Sequence, residues 1–258
     1  MIIYFSATGN TRWAVDQIAA ATRDRVMPVT VGSAPVEVTL DDDERLGFCF
    51  PVHGWRPPLL VRSFISRLTV TNVSGHYVYA LCTAGDTVGE ALDIFAADLS
   101  ARGIHVAAAT SLLMPESYVG LPFMDVDTPE RESEKIETSQ IRLNGMIDDI
   151  MHCRQFRSAP DIGRWPRINS RQIGAVFTGM LVTDKPFRVD ADRCLKCGRC
   201  AAACPVGDIS GGKGQLPEWL HNGRCLTCFN CYHRCPTHAI EYGCRTKRKG
   251  QYYFGKNR

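Results

Sequence analysis

Residues 194–205 read CLKCGRCAAACP, and residues 225–236 read CLTCFNCYHRCP. Both follow C-x2-C-x2-C-x3-C-P, so one cysteine pattern occurs twice. Four other cysteines, Cys49, Cys82, Cys153 and Cys244, lie outside the runs. A disulfide scaffold is normally a short secreted chain. This chain has 258 residues and opens MIIYFSATGN, with no basic leader and no small-residue cleavage site. No apolar run approaches the roughly 18 residues that a membrane span needs. A cytoplasmic protein with reduced thiols is the expectation. Cys49 and Cys82 sit in strand-like apolar stretches and read as small buried hydrophobes.

Three thiols at i, i+3 and i+6 can converge on one face of an inorganic cube, while a fourth, followed by proline, points toward a second site. A tetrahedral zinc site also uses C-x2-C pairs, but has no use for three evenly spaced cysteines and a Cys-Pro, repeated intact. The runs resemble those of bacterial two-cluster ferredoxins, in which the fourth thiolate ligates the other cluster. The resemblance implies two [4Fe-4S] clusters. One would take Cys194, Cys197, Cys200 and Cys235, and the other Cys225, Cys228, Cys231 and Cys204. Crossed ligation would let a segment with little apolar core fold around its metals.

Charge is divided along the chain. Residues 1–183 carry 16 Lys and Arg against 21 Asp and Glu, a balance of −5; residues 184–258 carry 14 against 6, a balance of +8. Two oxidised clusters with their thiolates contribute about −2 each, which brings the second part to about +4. The excess cations then partly neutralise clusters, and a nucleic-acid partner is not expected. The stretch SGGKGQ between the runs lacks the spacing of a phosphate loop and reads as a turn.

Upstream, the pattern alternates. Strand-like runs at Met1–Ser6, Val26–Thr30, Leu46–Val52, His76–Thr83 and Ile104–Met114 are separated by helix-like stretches near Asn10–Arg23, Pro57–Leu68, Val88–Arg102 and Pro129–Arg157. Strands alternating with helices give an α/β fold, a parallel sheet covered on both faces. Near-continuous apolar strands such as YVYALCT fit that burial. The expected organisation is a domain over 1–157, a connector over 158–183 docked through Trp165, Ile168, Ile173, Val176 and Phe177, a cluster domain over 184–244, and a mobile basic tail over 245–258.

The stretch SATGNTRW, Ser6–Trp13, follows the first strand and opens the first helix. It lacks the glycine pattern of dinucleotide folds and the lysine of triphosphate loops. Its hydroxyls, with backbone N–H groups at a helix N-terminus, suit a terminal phosphate monoester. Ser, Thr and Asn are also the usual helix caps, so capping alone is the competing reading. The S-x-T-G-N-T loop resembles the phosphate loop of flavodoxins, and the chain from residue 1 to about 242 resembles flavodoxin–ferredoxin fusion proteins.

That resemblance implies a doubly wound five-stranded sheet of order 2-1-3-4-5, with FMN at the carboxyl ends of strands one, three and four. Ser6, Ala7, Thr8, Gly9, Asn10 and Thr11 would hold the phosphate. Pro51, Val52, His53, Gly54 and Trp55 would cover one ring face, with Trp55 or His53 stacking. Thr83, Ala84, Gly85 and Asp86 would meet the ring's polar edge, and Tyr118 would line the cleft. Flavodoxins surround the ring with acidic residues, whereas Arg56 and His53 here would place cations nearby and raise the flavin potential. The expected function is electron transfer among FMN and two clusters, serving redox partner proteins. An FMN-dependent reductase fed by its own clusters is the alternative.

Overall fold

A computed structural model describes residues 1–256; the last two residues of the tail read from the sequence lie outside the described residues. Five parallel strands form the central sheet: β1 (Ile2–Tyr4), β2 (Val26–Pro28), β3 (Leu46–Pro51), β4 (Val78–Ala84) and β5 (Ala108–Leu113). Their spatial order is β2-β1-β3-β4-β5, the flavodoxin-like doubly wound arrangement. β3 is buried along all but its last residue, and β4 likewise, as strands covered on both faces must be.

The covering helices are α1 (Asn10–Thr22), α2 (Leu59–Ile65), α3 (Ala91–Ser100) and α4 (Pro129–Met151). α1 and α4 touch and cover one face, where Ala14, Val15, Ile18, Leu143 and Met146 pack. α2 and α3 cover the other through Phe64 and Phe95. α4 starts where Thr128 Oγ1 accepts the Arg131 N–H at 3.4 Å, with proline in the first turn. A short parallel pair, Val36–Val38 with Leu68–Val70, lies beside the main sheet and was not expected from the sequence. Three residues are too few for a period-2 pattern to stand out.

Beyond residue 184 the elements are short. Phe187–Val189 pairs antiparallel with Ile240–Tyr242, and Ile209–Ser210 with Glu218–Trp219. Two short helices, Arg199–Ala203 and Asn230–His233, touch each other. A small aromatic core of Phe187, Phe229, Tyr232 and Tyr242 is joined by Val119 from the loop after β5.

The two halves share core as well as surface. Val206 and Leu226, from the cysteine-bearing half, are buried in the same cluster as Phe5 and Phe50. Burial of a leucine side chain contributes roughly 2 kcal/mol, so Leu226 alone is a sizeable part of the joint. His233 adds a polar tie: its Nδ1 accepts the Tyr252 N–H at 3.2 Å, which leaves Nε2–H to donate to the Ser117 carbonyl at 2.7 Å. Burial holds this ring's pKa down near about 4, and the neutral form is the one that can accept and donate together.

The connector and tail depart from expectation. Residues 166–181 form a continuous helical stretch, π-type at Asn169–Ile173 and Phe177–Leu181, within the connector, for which the sequence suggested no element. It docks through small and polar groups. Ser170 Oγ accepts the Glu90 N–H at 2.8 Å, Arg171 forks onto Glu90 at 2.7 and 2.9 Å, and Gly174 packs on the Gly54 carbonyl. Of the five apolar residues expected to dock, only Phe177 does; Trp165, Ile168, Ile173 and Val176 are exposed. The tail through residue 256 is not free either. Lys249 Nζ donates to the Val119 carbonyl at 3.0 Å, the Gly250 N–H to Asp125 at 3.0 Å, and the Phe254 N–H to the Thr8 carbonyl at 2.8 Å.

Tyr252 is buried, and its hydroxyl donates to Asn10 Oδ1 at 2.5 Å across 242 residues of sequence. Tyr252→Phe is therefore expected to cost about 1–3 kcal/mol, the cost of stranding a buried acceptor. Urea unfolding followed at Trp13 fluorescence, in a variant lacking the other tryptophans, would show the midpoint fall. An unchanged midpoint would mean the tail is not seated.

Candidate functional site

The carboxyl ends of β1, β3 and β4 open into a recess of about 1140 Å³ including its open mouth. Fifteen of the sixteen residues expected around a flavin line it: Ser6, Ala7, Thr8, Asn10, Thr11, Pro51 to Trp55, Thr83 to Asp86, and Tyr118. Gly9 does not. It caps α1 at φ 104°, and a Cβ there would lie 2.9 Å from the Phe254 Cβ, so its position serves the turn and the tail.

The hydroxyls of the first loop are positioned by neighbours. Thr11 and Thr83 share a buried hydrogen bond at 2.8 Å, and Thr8 Oγ1 donates to Ser117 Oγ at 3.4 Å. Ser6 Oγ accepts the Arg12 N–H at 3.2 Å, so this hydroxyl satisfies one N–H of the first turn of α1, although Gly9 holds the cap position. Asn10 is fixed by Tyr252 and by donating Nδ2–H to the Pro115 carbonyl at 2.9 Å. The thirteen-residue α1 aims its N-terminal N–H groups toward this end.

Trp55 sits at φ 58° on the loop after β3, its indole N–H donating to Thr87 Oγ1 at 3.0 Å. His53 packs edge-on against Phe5, and burial lowers its pKa to about 4. Arg56 is not among the lining residues; its guanidinium donates to the Ser170 carbonyl at 2.9 Å. The expected cationic surround is thus corrected: one side chain is uncharged at neutral pH and the other is turned into the connector.

Residues that sequence reasoning missed complete the walls. Pro115, Glu116 and Ser117 follow β5, Leu121 and Met124 lie further along that loop, and Phe177 comes from the connector. Phe177 meets Tyr118 edge to face at 5.3 Å, and Tyr118 meets Phe229 in the same way at 5.3 Å. Glu116 accepts the N–H groups of Ser117 and Tyr118 at 2.8 and 2.7 Å, while burial raises its carboxyl above the ordinary range. Below it, Lys135 Nζ donates to the Gly85 carbonyl at 2.7 Å and to Asp127 at 2.5 Å, which pins the loop after β4.

The eight cysteines of the runs form two sets. Cys194, Cys197, Cys200 and Cys235 line one recess of about 400 Å³; Cys204, Cys225, Cys228 and Cys231 line another of about 310 Å³, open space included. Each set takes three thiols from one run and the last from the other. Among the described residues no three Cys, His, Asp or Glu side chains group so as to hold a single metal ion; the thiols surround a space. Their donor chemistry, four sulfurs per recess, fits an iron–sulfur centre.

Backbone geometry repeats with the motif. Lys196, Gly198 and Gly207 are left-handed at φ 50°, 74° and 62°, and Thr227, Phe229 and His238 match them at 48°, 57° and 50°. Left-handed Phe229 costs roughly 1–2 kcal/mol. Burial of its ring, 1% exposed, offsets this by roughly 2–3 kcal/mol. The turns aim N–H groups at sulfur: Lys196 to Cys194 and Thr227 to Cys225, both at 3.4 Å, then Asp208 to Cys204 at 3.3 Å and Ala239 to Cys235 at 3.2 Å. Burial pushes the Cys225 and Cys228 thiols up to about 12 and about 11, so a metal's charge is what would ionise them. Asp208 lines the inner recess; burial, then the Asp184 carboxylate, raises it to about 6.

Residues 187–236 match the family model of the 4Fe-4S dicluster domain. This part of the chain is an iron–sulfur domain. No curated protein matches the chain. Among solved structures, it is similar to a Bacteroides uniformis ATCC 8492 protein named as a flavoprotein (18% identity, 43% of this chain and 88% of that one, TM-score 0.36). It is also similar to a Bacteroides eggerthii DSM 20697 protein so named (14% identity, 54% and 96%, TM-score 0.33). The flavodoxin-like fold rests on the strand order, not on these likenesses. Among the described residues no helix is long and apolar enough to cross a membrane.

Because the His53 pKa lies near about 4 in the folded chain, below its ordinary 6.5, the unfolded chain takes up the proton first. The stability tied to His53 is full above pH 6.5 and is lost as pH falls toward 4. Imidazole NMR resonances of His53 are expected to stay at their neutral positions down to about pH 5. A midpoint near 6.5 would place the ring in solvent.

Proposed function

We propose that the chain binds FMN in the large recess and one [4Fe-4S] cluster at each thiol set, and passes electrons among them. One observation carries this reading: Cys228 lines both the large recess and the inner thiol set. A residue shared between the two walls would bring one of the cluster's protein ligands to the edge of the cavity that would hold the flavin. Leu226 and Thr227, buried beside it, keep water from that boundary.

When bound, FMN would exchange electrons singly or in pairs, and the clusters would exchange them singly. The protein's own groups do the placing. Thr8, Thr11 and the N-terminus of α1 would hold the phosphate, and the Asn10 side chain, held by Tyr252 and Pro115, fixes the loop's shape. Trp55 and Phe177 present aromatic surface to the recess, and the loop Thr83–Asp86, braced by Lys135, would meet the polar edge. The N–H groups directed at Cys194, Cys204, Cys225 and Cys235 would favour the more negative, reduced clusters. The sequence-derived limits, 1–157 for the flavin part and 184–244 for the cluster part, go with this reading, as does a reducing, cytoplasmic setting for twelve free thiols.

Anaerobically prepared protein is expected to hold one FMN with about eight irons and eight sulfides per chain. Zinc in place of iron would end the proposal. Thr8→Val is expected to weaken FMN about tenfold, the equivalent of one hydrogen bond, with iron content unchanged. Riboflavin should bind more weakly than FMN; equal affinity would remove the phosphate loop from the argument.

A further inference from the structure

The pseudo-repeat gives each cysteine run the same backbone course but not the same surroundings. In the second run, the residues after the first cysteine, Leu226 and Thr227, are 5% and 1% exposed, because they face the flavodoxin-like half. At the matching places in the first run, Leu195 is 64% exposed and Lys196 is exposed. Asn230, 5% exposed in the second run, corresponds to exposed Arg199 in the first. One face of the repeat is thus covered by the rest of the chain, and its equivalent is left open.

The open face is basic. Lys196 and Arg199 line the outer thiol recess, and exposed Lys213 lies beside it, its backbone paired with that of Cys197 in an isolated antiparallel β-bridge. None of the three forms an ion pair among the described residues, whereas nearby Arg193 is taken by Asp190 and Glu241. An exposed leucine beside a cysteine, ringed by unpaired cations, has the make-up of a protein-binding face with an apolar centre and a charged rim.

We propose that this face is the port at which an acidic one-electron carrier protein docks, so that electrons cross the chain in the order port, outer thiol set, inner thiol set, flavin recess, or the reverse. The proposal rests on the relay reading above. Each encounter oxidises the carrier by one electron and reduces the chain by one, or the opposite. Two encounters balance one two-electron change at the flavin.

The test uses the full, cluster-loaded chain with a small acidic bacterial-type ferredoxin as probe. Rapid mixing gives the second-order rate with reduced ferredoxin at several salt concentrations. Carbodiimide cross-linking with peptide mapping gives the contact independently of electron flow. Cross-links are expected at Lys196 and Lys213. The triple variant Lys196→Glu, Arg199→Glu, Lys213→Glu should react about tenfold or more slowly at low salt, with a flattened salt dependence. Its iron content and its reduction by dithionite should match the parent.

The pair Lys247→Glu, Arg248→Glu, on the exposed tail, should react at the parent rate. A triple variant as fast as the parent, or a tail pair as slow as the triple, overturns the port. Cross-links confined to other lysines overturn it as well. The relay reading fails differently: the ferredoxin docks and reduces the clusters, but the flavin then changes at a rate set by protein concentration.

Discussion

Each thiol recess takes its fourth sulfur from the other run, and that crossing constrains everything after residue 184. Strands of two or three residues and helices of four or five cannot sustain a fold by themselves. Here the ends of both runs meet at two shared recesses, and clusters bound there would fix them. The repeated left-handed residues follow from the same demand, since the chain has to reverse within each run to aim three sulfurs inward. In the first run glycine meets that demand at Gly198, the place that Phe229 holds in the second. In the second, Phe229 accepts the strain and returns it as the centre of the aromatic core that Tyr118 joins from the other half.

Much of this was legible in the sequence because the signals were periodic or chemically narrow. Five apolar runs spaced by helical stretches pointed to a parallel α/β sheet, and the observed order is the one that the flavodoxin resemblance implied. Cysteine spacing marked the two runs, the resemblance to two-cluster ferredoxins implied the crossed sets, and those sets are grouped in space. The loops after β1, β3 and β4 converge because parallel strands end on the same edge. Glu116 and Ser117 escaped notice because nothing in MPESYVG marks the side chains that turn inward.

The connector attaches as expected, but, Phe177 apart, by other residues than the sequence pointed to. Its prolines and glycines break the alternating pattern, yet Pro166 is at a helix start, where it is tolerated. Glycine at 174 is what lets the helix approach the Gly54 carbonyl. The apolar residues suggested docking, but the contact is made by Ser170, Gly174 and Phe177, with Ile168 and Val176 turned outward. Composition identified a segment that attaches; it did not identify the side by which it attaches.

The clasp between Tyr252, Phe254 and the first loop bears on the order in which the molecule can be completed. During synthesis the loop at residues 6–11 emerges early, whereas the groups that bond to Asn10 and Thr8 arrive more than two hundred residues later. The tail reaches the loop only after passing His233 and Tyr232, which are set by the cysteine runs. The loop is therefore finished last, by a segment held on the second cysteine run, whose path would depend on the proposed clusters being in place. A nascent chain whose thiols had not been assembled would present an unclasped loop, and maturation of one end would be read at the other.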